Sequence, residues 1–121
     1  MNVSGNHTSN PGRYGIKAAL IVGFGALAFA FATAHNNPAT GYEISIYADT
    51  PLLYWVGLSI ALLIAIGVAI VAYDSRLGLL ALLIAVLGVL SIFALPIIRG
   101  YLFYGHGDSL NHLGWARDIA D

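Results

Sequence analysis

Asp108 and His112 stand four residues apart, with His106 two residues before the aspartate. On a helix that spacing puts carboxylate and imidazole on one face, with Asn111 and Trp115 beside them. Such a pair can act as base and orienter, hold a divalent cation, or orient a phosphate-bearing substrate, so Asp108 and His112 are the candidate catalytic pair. Asp108 with His106 is the candidate metal site, although His-x-Asp-x3-His departs from the better-defined spacings of zinc sites. Each residue also has a plainer role. Asp108 or Ser109 can cap a helix that follows the flexible Gly105-His106-Gly107 stretch, His112 can rest at an interface, and Trp115 can anchor at headgroup depth. Glu43 and Asp49 are the only charges between Asn36 and Thr50, and are candidate substrate-binding groups or simple solvated carboxylates.

What must position these residues is a membrane. Three runs, Ala18 to Ala34, Leu52 to Tyr73 and Leu77 to Ile98, contain no charged residue, and each comes close to or exceeds the roughly 20 apolar residues that cross the hydrocarbon core. With 59% hydrophobic and 9% charged residues the chain needs lipid as its solvent. The expected fold is an all-α membrane protein with spans at about 17–34, 52–73 and 77–98 and a short interfacial helix in 101–121. The absence of cysteine excludes a disulfide framework and thiol chemistry. A net charge of −1 with Arg13, Lys17, Arg76, Arg99 and Arg117 scattered singly excludes nucleic acid as a partner and argues against a polybasic lipid-binding surface.

Residues 1–15 are rich in Asn, Ser, Gly and Thr and read as a disordered polar tail, ahead of the membrane region 16–100. A cleaved signal is the competing reading of the first run, with Ala32-Thr33-Ala34 as the cleavage site, but that run is longer than a signal core and sits behind a polar leader. Arg13 and Lys17 before the first span, no Lys or Arg from His35 to Pro51, and Arg76 in the second connection place the N-terminus in the cytoplasm, in a multi-pass protein of the cell membrane.

Local signals mark the helix ends. Thr50 before Pro51 predicts a capped start for the second helix. Asp74 or Ser75 predicts the cap of the third, and the short Asp74-Ser75-Arg76 connection makes those helices antiparallel neighbours. Pro96 interrupts the third helix near its far end. Alternation over Tyr42-Glu43-Ile44-Ser45-Ile46-Tyr47 predicts an extended piece on the membrane surface. Small residues fall on one stripe of each helix: Ala19, Gly23, Ala26, Ala30 and Ala34; then Gly57, Ala61, Ala65 and Ala69; then Gly78, Ala81, Ala85, Gly88 and Ser91. Close packing follows, either within one bundle or with further helices or a homo-oligomer.

Three helices followed by Gly107-Asp108-Ser109-Leu110-Asn111-His112-Leu113-Gly114-Trp115-Ala116-Arg117-Asp118-Ile119 resemble the beginning of large multi-pass archaeal membrane proteins whose organisation is similar to GT-C type glycosyltransferases. The resemblance implies that Asp108 and His112 match an Asp-x3-His setting at an active site facing a polyprenyl-phosphate-linked sugar, with a divalent metal ion as the implied cofactor. Enzymes of that type have many more helices, so the chain reads as a fragment or truncated N-terminal module. Catalysis by it alone is not expected, since three helices can hardly enclose a substrate cavity. The rival from another class is a small non-enzymatic membrane subunit or anchor. Transport is weaker, because no ionisable residue interrupts the spans.

Overall fold

The computed structural model describes residues 11–39 and 45–101. Three helices, α1 (Pro11–His35), α2 (Leu52–Val71) and α3 (Arg76–Ile98), account for most of them, and each is long and apolar enough to cross a membrane. The described residues form no strand. All three helices pack on one another. Gly23 faces Ile64 and Ile84, Gly57 faces Ala26 and Ala30, and Gly88 faces Leu58 and Leu62, so α2 runs antiparallel to both neighbours and α1 lies parallel to α3.

The core is small and the outside is large. Ala30, Ala34, Ala61, Ala65 and Ala81 are fully or almost fully buried, whereas Ile21, Leu63, Ile66, Ile70, Leu82 and Phe93 are exposed around the periphery. In water such a continuous apolar exterior would mark an interaction surface of unusual extent. In lipid it is the ordinary outcome, because hydrocarbon offers no drive to hide leucine and close backbone approach supplies the cohesion. The protein is therefore an integral, multi-pass α-helical membrane protein.

The small-residue stripes form the internal contacts of this bundle. A Cβ on Gly57 would lie 3.0 Å from the Ala26 carbonyl oxygen, and one on Gly88 would lie 2.9 Å from Leu62 Cδ2. Gly78 has its missing side chain against the Ala72 carbonyl, where α3 turns back beside the end of α2.

The helix ends and the α1–α2 connection differ from expectation in three places, while the cap of α3 agrees with it. α1 begins at Pro11, inside the segment 1–15 read as a tail, because proline is pre-organised for a helical first turn and Lys17 sits 5.9 Å over the Tyr14 ring one turn further on. α2 takes Pro51 as its capping residue with no side-chain cap, since the Thr50 hydroxyl donates instead to the Ile46 carbonyl at 2.6 Å. Of the two candidates for α3, Ser75 caps, accepting from the Gly78 amide at 3.3 Å. Ile46 and Tyr47 belong to a turn and not to an extended strand-like piece: the Asp49 amide donates to the Ser45 carbonyl at 3.0 Å, and the Ala48 amide to the Ser45 hydroxyl at 3.3 Å. Serine's ability to hydrogen-bond its own following backbone outweighs the alternation.

α3 continues through Pro96, whose missing N–H leaves one gap in the ladder a turn before the end. The stop itself is a left-handed glycine: Gly100 has φ +85°, its amide donates to the Ile97 carbonyl at 3.0 Å, and the Tyr101 amide donates to the Pro96 carbonyl at 2.9 Å. This paired pattern satisfies carbonyls that the helix end would otherwise leave open.

Candidate functional site

The buried polar side chains of the described residues, Thr50, Ser91 and Arg99, gather toward the end of the bundle where α1 stops, α2 starts and α3 stops. Arg99 is the centre. It caps α3, yet its side chain is only 3% exposed. A buried guanidinium is tolerated only when its donors are used, and here Nε donates to the Asn37 carbonyl and Nη1 to the Ile46 carbonyl, both at 3.1 Å. The Arg99 backbone carbonyl in turn accepts from the Ala39 amide at 2.9 Å. One residue thus grips the α1–α2 connection with its side chain and its main chain. Its charge also lies where the carbonyl ends of α1 and α3 concentrate negative partial charge.

The connection is prepared for that grip. The Thr33 hydroxyl donates to the Phe29 carbonyl at 2.9 Å, and the Asn37 amide side chain donates to the Thr33 carbonyl at 2.8 Å, closing the last turn of α1 before Pro38. Ile46 packs against the core, and its carbonyl accepts from Thr50 as well as from Arg99.

Below this clamp lies a buried polar contact between helices. Tyr54 is fully buried and Ser91 is 1% exposed, with their oxygens 2.9 Å apart. The Ser91 hydroxyl spends its one proton on the Gly88 carbonyl at 2.7 Å, so Tyr54 is the donor to Ser91. Trp55 stacks edge-on against Tyr54 with ring centroids 5.0 Å apart, and Tyr47 lies 6.5 Å from Trp55. An aromatic cluster at the end of the spans is what a headgroup boundary favours.

Of the residues singled out by sequence, Asp49 is exposed on the α1–α2 connection, with its backbone amide engaged by Ser45. Asp108, His112, His106 and Glu43 lie outside the described residues, as does the interfacial helix expected in 101–121 beyond Tyr101. Among the described residues no group of three His, Asp or Glu is placed to hold a metal ion. Arg99 and the Tyr54–Ser91 pair carry the order of this end, and sequence reasoning gave them no such role. The available signal was a lone tyrosine near the start of one apolar span and a lone serine toward the end of the next, which an antiparallel hairpin brings to similar depth.

The arrangement is one of hydrogen bonds already made. It fixes the exit of α3 and the path of the connection, and so the point from which residues after Tyr101 depart. No family model matches the chain, and no curated protein or solved structure matches it either. Fold and site together define a class, the three-helix membrane bundle clamped at one end.

Proposed function

We propose that this chain is a membrane-embedded scaffold that presents the segment 102–121, with Asp108 and His112, at the bilayer face where α1 ends, and that it is not an enzyme by itself. The observation that supports this reading most directly is the buried Arg99, which ties the root of that segment to the α1–α2 connection. The small-residue seams support it too, since they are occupied within the bundle. A second reading keeps the same placement: the chain is the N-terminal module of a GT-C-like glycosyltransferase in which Asp108 serves as base or metal ligand and His112 assists. The clamp favours it only in that a reacting carboxylate needs a rigid mount.

One experiment addresses both. A spin label at position 110 of the protein in liposomes should become more mobile in Arg99→Ala than in the parent, while helicity by circular dichroism is retained. Equal mobility in the two proteins removes the scaffold reading. The same liposomes supplied with a polyprenyl-phosphate-linked sugar should show no transfer, and transfer that Asp108→Asn abolishes would establish the enzyme reading in its place.

A further inference from the structure

The gap that Pro96 leaves in α3 divides the helix into two parts that are held differently. Proline has no N–H to give the Ile92 carbonyl and its ring crowds that carbonyl, so the backbone between Ile92 and Pro96 bends more easily than the rest of the ladder. Pro96 is buried, so relief of that crowding carries the last turn outward, away from the bundle. Just before the gap, Ser91 is fixed in place: its hydroxyl donates to the Gly88 carbonyl at 2.7 Å and accepts from Tyr54 of α2 at 2.9 Å. Beyond the gap there is little apolar hold, since Ile97 and Gly100 are exposed and Ile98 reaches the core only in part. What ties this last turn to another element is Arg99, through the Asn37 and Ile46 carbonyls and the Ala39 amide.

The two kinds of hold open at different cost. Bonds from Arg99 to carbonyls at the bilayer face can be exchanged for bonds to water, whereas the glycine seams deeper in the bundle have no substitute partner of equal fit in lipid. A bend bracketed by a fixed point on one side and an exchangeable hold on the other is the arrangement of a hinge and latch. We propose that the end of α3 is a hinged arm that bends between Ile92 and Pro96, is anchored before the bend by the Tyr54–Ser91 bond, and is latched shut by Arg99. Release of Arg99 lets the last turn swing outward as a unit and carries the exit at Tyr101 with it. What this swing does for the residues after Tyr101 rests on the scaffold role proposed above; the swing itself does not.

Pairs of spin labels in the full chain in liposomes test this by the distances between them, and the absence of native cysteine makes each labelled position unique. Ile70, Leu90 and Ile97 are exposed and accept labels without disturbing the core. The pair 70 and 97 reads the arm against α2, and the pair 70 and 90 reads α3 before the bend. In the parent both pairs should give one narrow distance. In Arg99→Ala the 70–97 pair should gain a second, displaced population while the 70–90 pair stays narrow, and adding Pro96→Ala, which returns the ladder bond, should remove that second population. Arg99→Gln, which cannot reach both carbonyls, is read in the same way if Arg99→Ala fails to fold. A 70–97 distance as narrow in the variant as in the parent overturns the proposal. So does broadening of the 70–90 pair as well, which would mean that the whole bundle loosens, and so does a second population that survives Pro96→Ala, which would mean that the last turn frays without a hinge. These labels lie within the helices, so their result is separable from the mobility at position 110.

Discussion

Two side-chain interactions hold the clamped end, and they differ in kind. Arg99 is a buried charge whose donors reach two carbonyls of a distant connection, so Arg99→Ala removes both bonds and leaves the Ile46 carbonyl with the Thr50 hydroxyl alone. We expect a loss of about 2–4 kcal/mol in reversible unfolding in mixed micelles, with Arg99→Lys falling between because an ammonium lacks the planar fork. The Tyr54–Ser91 bond is neutral and interhelical, and in lipid such bonds contribute modestly. Tyr54→Phe should lose about 0.5–1.5 kcal/mol, and the double variant with Ser91→Ala should lose less than the sum of the two singles. An additive result would mean that the two oxygens do not act as a pair. Neither Arg99 nor Tyr54 was legible as structural from composition: Arg99 read only as one of five singly scattered cations, since nothing local reveals that a connection some sixty positions earlier offers it carbonyls. Asp108 and His112 stood out for the opposite reason, that an i, i+4 spacing is visible without any fold.

At the scale of the helix, legibility was much greater. The stripes through Gly57, Ala61 and Ala65 and through Gly78, Ala81 and Gly88 are internal faces of the bundle, because a period of three and four residues is a property of the helix that tertiary structure inherits. Ala61 is fully buried between helices, so Ala61→Leu should destabilise by about 1–3 kcal/mol through overpacking. Leu63→Ala, on the lipid face, should be near neutral, and equal effects in the same unfolding measurement would show that the seam has been placed on the wrong side. Boundaries were harder to read. Thr50 looked like a cap, yet its hydroxyl is drawn to the Ile46 carbonyl of the preceding turn, a competition between two nearby acceptor and donor sets that one-dimensional spacing cannot rank.

For the molecule as a whole, three spans with basic residues gathered at one end predict a cytoplasmic N-terminus. Single cysteines at position 40 or 110 should react with an impermeant maleimide added outside intact cells, and one at position 74 should not. The reverse pattern would reverse the topology. The gathering of Arg13, Lys17 and Arg76 at one end is itself a product of folding back, as along the chain they look merely scattered. The unequal helices have another consequence. α2, with 20 residues, is about 30 Å long, while α1 and α3, with 25 and 23, are longer. A short turn holds α2 to α3 at one end and Arg99 secures the connection to α1 at the other, so α2 has little freedom to change its tilt independently. In a markedly thicker bilayer, Pro51 and Tyr73 at its two ends would be drawn toward hydrocarbon, and the membrane would have to thin around the protein. The stability of the bundle should therefore follow membrane thickness: its melting temperature in synthetic vesicles should peak where the hydrocarbon layer matches α2, and it should partition into thinner domains of a mixed membrane.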